Sequence, residues 1–213
     1  MRHAKHISRR TILAALSVIL VLAAVTVGAV YAKYIRTVEL FGNVTVSARL
    51  ADGFALFEHK ADRQTDGSYR LNTAEVKTNT YTLLPGLDVP KDPQIRITGK
   101  TATDAYLFVE VVDGINSDQT KITYALNDSW TRLDGVTGGN GGAVYVYSTV
   151  LDEAFGTNGT GTVEILKDNT VYVSQWLNRA YTDEILLTFH AYMAQTVKDK
   201  EPSEVFELNF KQS

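Results

Sequence analysis

Apolar and polar residues alternate with a period of two along much of this chain. Val44, Val46, Ala48 and Leu50 interleave with Thr45, Ser47 and Arg49, so a strand here would carry one apolar and one polar face. Ile95 and Ile97 repeat the alternation, and residues 105–112 form a denser run of β-branched and aromatic residues. Further strands are predicted over 76–83, 121–126, 144–150, 161–166, 170–174 and 185–194. Turn chemistry separates them: Asp66-Gly67, Pro85-Gly86, Asp113-Gly114, Asp134-Gly135, Asn158-Gly159 and Asp168-Asn169. No amphipathic helical window of a dozen residues follows the N-terminal segment. Residues 201–210 fit either a short helix after Pro202 or a closing strand through Phe206, Leu208 and Phe210. Many short strands with Gly and Asn turns predict an all-β chain, an antiparallel sandwich or barrel with short helices confined to loops.

The first 32 residues break this pattern. A basic head with Arg2, Lys5, Arg9 and Arg10 runs into an uncharged stretch from Thr11 to Ala32 that ends Val30-Tyr31-Ala32. This predicts an export signal helix, with Val30 and Ala32 as the small residues a signal peptidase accepts and the cut between Ala32 and Lys33. The stretch is also long enough to cross a bilayer, which leaves a retained anchor as the alternative. Dilution by Ser17, Thr26 and Gly28 and the small-x-small ending argue for cleavage. Ser8-Arg9-Arg10-Thr11-Ile12-Leu13 also resembles a twin-arginine signal. Residues 33–213 then make one domain with a sizeable core.

Charge and cysteine content narrow the partners. The signal holds four of the 21 basic residues and none of the 24 acidic ones, which leaves the mature chain with 17 against 24, a net charge of −7. That argues against nucleic acid and anionic membrane surfaces as partners. The chain has no cysteine, so neither disulfides nor thiolate metal sites are available to it outside the cytoplasm.

Candidate chemistry is sparse. His59 and His190 are the histidines left after the signal; His59 follows Glu58 in a predicted loop, as a solvated residue, and His190 falls within a strand pattern. No zincin motif, no Gly-x-Ser-x-Gly elbow and no Cys nucleophile is present, so no catalytic, metal or cofactor residues are assigned. Asp113, Asn116 and Asp118 offer oxygen ligands but lack the spacing of a calcium loop. Gly138-Gly139-Asn140-Gly141-Gly142 is predicted to be the most flexible point, a hairpin tip or Ω-loop. Ala143-Val144 follows it, where a phosphate cradle needs Lys and Ser or Thr. Residues 156–161 read as a loop for a similar reason. Trp130, Trp176 and Tyr145 are expected in the core, with an exposed binding platform as the alternative.

Several motifs together carry a resemblance. The signal ending Val-Tyr-Ala, then Tyr34, then Phe41-Gly42-Asn43-Val44-Thr45-Val46-Ser47-Ala48 resembles the start of the TasA/camelysin family of exported bacterial proteins. Leu84-Pro85-Gly86-Leu87, Ile95-Arg96-Ile97-Thr98-Gly99, Ala105-Tyr106-Leu107-Phe108-Val109-Glu110-Val111 and Ala191-Tyr192-Met193-Ala194-Gln195 continue it. The resemblance implies a jelly-roll sandwich, export through a dedicated signal peptidase, and a secreted, cell-surface life in biofilm-matrix fibres, with an accessory matrix protein as a possible partner. It also implies self-association by strand donation. Residues 33–41 alternate imperfectly, with Tyr34, Val38 and Leu40 on one side and Arg36 interrupting them, so they read as a poor internal strand. They could instead serve as a donor that adds to a neighbour's sheet, or be an ordinary terminus. No family motif covers 52–77 or 130–142. The camelysin branch has been classed as a metallopeptidase, an activity for which this sequence shows no zinc motif. Three functional classes stand: a structural fibre subunit, a monomeric surface binding or adhesion module, and a camelysin-like metallopeptidase.

Overall fold

The computed structural model describes residues 36–44, 51–101, 103–115, 121–152, 154–177 and 185–210. The signal segment, the Ala32/Lys33 cut and Tyr34 lie outside them. Among the described residues no helix is long and apolar enough to cross a membrane.

The described chain is built mostly of β-strands, with one short helix. In chain order the strands are β1 Arg36–Val44, β2 Ala51–Arg63, β3 Tyr69–Val76, β4 Thr78–Leu83, β5 Val89–Pro90, β6 Gln94–Thr101 and β7 Ala105–Asp113. They continue with β8 Ile122–Thr123, β9 Trp130–Thr137, β10 Ala143–Tyr147, β11 Gly156–Glu164, β12 Thr170–Val173 and β13 Ile185–Gln195, and helix α1 Pro202–Phe210 closes the described chain. Six strands form one sheet in the order β4-β1-β13-β7-β10-β9; four form another, β11-β6-β2-β3; and the short strands β5-β12-β8 form a third. Among the described pairings all are antiparallel except β1 with β13.

The three sheets bury a common core. Leu107, Val109 and Val111 of β7 and Leu187, Phe189 and Met193 of β13 meet Leu56 of β2 and Ile95 and Ile97 of β6, with Val171 and Val173 of β12 alongside. The alternate residues of the same two central strands are buried too. Phe108 and Tyr192, on the opposite face of the six-stranded sheet, join Val144, Val146 and Leu133 beneath Val205 and Phe206 of α1. The dense apolar run at 105–112 thus reflects a strand covered on both faces, where burial replaces alternation.

The helix, rather than a closing strand, occupies 202–210 because its start is well marked. Pro202 fills the first helical position, where no amide donor is required, and the Glu204 carboxylate accepts a hydrogen bond from the Glu201 amide at 3.0 Å. Val205 and Phe206 then face the sheet, with the Phe206 ring 5.2 Å from Phe108 and 5.4 Å from Tyr192, while Leu208 points to solvent.

Several expectations need correction. His59 lies inside the long strand β2, not in a loop; Glu58 beside it is buried, and charges at half-buried positions hid the strand's alternation. Residues 156–161 belong to β11, which pairs with β6 through a register shift between Gly156 and Gly161. The Asp134-Gly135 pair interrupts β9 rather than ending it: Gly135 adopts φ 76°, a left-handed conformation in which a bulged strand favours glycine. Residues 76–83 divide at Lys77 into the end of β3 and all of β4. Only Ile122 and Thr123 of 121–126 pair as a strand, although Leu126 bridges Leu166. Of the strand predicted over 44–50, Val44 ends β1 and residues 45–50 lie outside the described residues.

Candidate assembly interface

β1 fills a slot between β4 and β13, paired on both edges, so the segment expected to be a poor internal strand is an internal strand. Val38 stands in register with Tyr81 of β4 and Ile185 of β13, and Leu40 with Asn79 of β4. Arg36 is opposite Leu83. The reason the sequence pattern misled is that two partner edges satisfy the backbone of a strand whatever its side-chain alternation. On the β4 side of the slot, Asn79, Tyr81 and Leu83 are all buried. The Asn79 side chain also ties the slot to β2: it donates to the His59 carbonyl at 2.8 Å and accepts from the Ala61 amide at 2.8 Å.

The parallel pairing is informative. Antiparallel neighbours are commonly joined by short hairpins, whereas β1 and β13 come from opposite ends of the described chain. Without β1, the facing backbone edges of β4 and β13 would lack partners, and an open edge is a template for another strand.

The central strands beside this slot hold a buried, fully hydrogen-bonded carboxylate. The Glu110 carboxylate of β7, fully buried, accepts hydrogen bonds from the Asn140 amide at 2.8 Å, the Asn140 side chain at 2.9 Å, the Gly142 amide at 2.9 Å and the Tyr192 hydroxyl at 2.6 Å. Burial opposes its ionisation, but the donors from Tyr192, Asn140 and Gly142 outweigh that and hold the carboxyl below its ordinary range. The glycine-rich loop expected to be the most flexible point is therefore wrapped around a carboxylate. A Cβ on Gly142 would meet the Val111 carbonyl oxygen at 2.5 Å, so this position leaves no room for a side chain.

His190 of β13 stands directly opposite Glu110. It is buried, its Nδ1 has no hydrogen-bond partner, and burial lowers its pKa against the opposing influence of the Glu110 charge. His59 is engaged elsewhere, its Nδ1 2.5 Å from the buried Asp92 carboxylate. The two histidines are not brought together, and among the described residues no group of three or more His, Cys, Asp or Glu could hold a metal ion. Asp113 accepts hydrogen bonds from the Ile115 amide at 2.8 Å and the Tyr124 hydroxyl at 2.9 Å, the pattern of a turn; Asn116 and Asp118 lie outside the described residues.

Of the three aromatic candidates, Trp130 is a core residue whose Nε1 donates to the Glu164 carbonyl at 2.9 Å, and Tyr145 is half-buried. Trp176 departs from the core expectation and is 73% exposed. Tyr145, Tyr124, Asp113, Ile115, Ile122 and Leu126 line an open cleft of about 350 Å³.

Sequence reasoning passed over Glu110, Lys91 and Glu58. The available signal was a charged residue within an apolar strand, as in Phe108-Val109-Glu110-Val111, which at a covered position requires a partner. Compared with known proteins, the chain matches no family model, no curated protein and no solved structure.

Proposed function

We propose that this protein is an exported structural subunit of cell-surface or biofilm-matrix fibres, with a jelly-roll sandwich as its body, and that it polymerises by strand donation. The segment containing β1 leaves the slot between β4 and β13 of its own chain and fills the same slot in the next copy. The observation that carries this reading is the pairing of β1 on both edges, parallel to a strand from the far end of the chain. Every backbone hydrogen bond made within one chain can be remade between two, so exchange conserves the contacts and is governed by chain concentration. The signal-like first 32 residues and the resemblance to the TasA/camelysin family support export and fibre formation. Self-association, a signal peptidase and an accessory matrix protein are the partners this reading implies.

Electron microscopy of purified protein lacking the signal tests it. Fibres are expected from the parent, and deletion of residues 33–40 should abolish them while circular dichroism still reports a folded β protein. Val38→Asp is expected to act in the same direction, because a charge at this register position opposes Tyr81 of the buried β4 row. Fibres from both variants equal to those of the parent would overturn strand donation through this segment.

A second reading, a surface binding module, draws on exposed Trp176 and the cleft beside Tyr124 and Tyr145, whose volume suits a small ligand. It is distinguished by a protein that stays monomeric under all conditions in which fibres are sought.

A further inference from the structure

The middle of β2 and the segment after β5 bring two opposite charges into the interior. Lys91 is 1% exposed, and its Nζ contacts Oε2 of Glu58, itself 3% exposed. The other carboxylate oxygen, Glu58 Oε1, is buried without a hydrogen-bond partner. The surroundings are largely apolar: Leu56, Phe57, Pro93 and Phe189 line a cavity at the pair, and the Lys91 ammonium lies 5.7 Å from the Phe189 ring centre. Burial pushes the Lys91 amine toward its neutral, nucleophilic form, against the pull of the Glu58 and Asp92 charges.

As an ion pair this arrangement is costly. Two charges have been taken out of water, and only one of the two carboxylate oxygens is compensated. We propose that Lys91 and Glu58 are joined by an intramolecular amide cross-link, formed spontaneously once the fold has brought them together. Within the pair a proton passes from the ammonium to the carboxylate, giving an amine and a carboxylic acid. The Nζ lone pair attacks Cδ of Glu58, the N–C bond forms, one C–O bond breaks, and that oxygen leaves as water with two of the hydrogens first held by the ammonium. No oxidant, metal or further reactant is needed. The product is neutral, so the desolvation cost of both charges disappears, and the fold supplies the proximity that an amine and an acid lack in solution. The cavity at the pair, about 10 Å³, is of the order of the space one water molecule occupies.

The bond would join β2 of the four-stranded sheet to the segment that follows β5 of the three-stranded sheet. It would give a chain with no cysteine a covalent tie between sheets that does not depend on the redox state of its surroundings.

Mass spectrometry of the purified protein under denaturing conditions decides the matter. The mass is expected to be lower than that of the sequence, counted from its determined N-terminus, by one water. Proteolytic digestion should yield a branched peptide joining the segments around Glu58 and Lys91. Lys91→Met and Glu58→Leu should each restore the full sequence mass, and Lys77→Ala, at the other lysine lining the cavity, should leave the deficit in place. A parent protein of full mass with no branched peptide overturns the proposal, whether or not the variants fold. So does a deficit that persists in Lys91→Met.

Discussion

Two buried carboxylates sit on the two principal sheets and are treated in opposite ways. Glu110, on the six-stranded sheet, receives four hydrogen bonds, two from backbone amides of a neighbouring loop, one from the Asn140 side chain and one from the Tyr192 hydroxyl. Glu58, on the four-stranded sheet, contacts one lysine through one oxygen and leaves the other without a partner. The difference teaches where each charge acts. A carboxylate surrounded by neutral donors organises a loop and remains an ion, whereas one facing a lone cation in an apolar setting is held in place but poised for chemistry.

Removing Glu110 is the harshest way to break the comparison. Glu110→Ala strands the buried Gly142 amide and leaves the Asn140 and Tyr192 donors without their acceptor, and should lower stability by about 4 kcal/mol in denaturant unfolding. Lys91→Met should cost somewhat less, about 3 kcal/mol, because it strands a single carboxylate. If Lys91→Met proves the more damaging, the number of donors is not what separates the two sites. Next comes the loop that serves Glu110. Gly142→Ala places a methyl group 2.5 Å from the Val111 carbonyl oxygen and 2.8 Å from the Glu110 side chain, and should cost about 2 kcal/mol. Gly141→Ala, whose added Cβ would meet nothing within 4 Å, carries only the strain of its φ of 83° and serves as the control.

The smallest effect concerns pH and separates the neighbours His190 and Glu110. Both have folded-state pKa values below their ordinary ones, so the unfolded chain binds more protons in acid. Stability should be full above about pH 6.5, fall as His190 is forced to take a proton into a buried site, and fall again below about pH 4.5 as Glu110 protonates. His190→Gln should remove the first decline and leave the second, as read from denaturation midpoints across that range.

How far the sequence disclosed this arrangement depended on whether charges stayed out of the strands. Strands β6, β7, β12 and β13 were legible because their apolar residues are regular, at Ile95 and Ile97 or across Leu186-Leu187-Thr188-Phe189. Strand β2 was not, because Glu58 and His59 occupy positions where a solvated loop was the natural reading. Strand β9 was hidden by its bulge, which spaces its buried residues Trp130, Leu133 and Val136 by three rather than two. At the candidate interface, Val38 and Leu40 read as part of a donor segment that would make a poor internal strand, because Arg36 obscured the double pairing of β1. A double pairing is a property of two distant edges, and no local pattern can encode it.

That parallel contact also orders events in time. As the chain is made, β1 and β4 appear early and can pair at once, but β13 arrives near the end, and the β1–β13 ladder cannot close until it does. Contacts so remote in sequence demand a large loop-closure entropy before they return any stability, which makes this closure a slow, late step of folding. Throughout that interval β1 is paired on its β4 edge alone, and its other edge is open. Under the strand-donation proposal, a second molecule would compete for that open edge at high local concentration, and a race between two rates would decide whether a copy ends as a closed monomer or as a link.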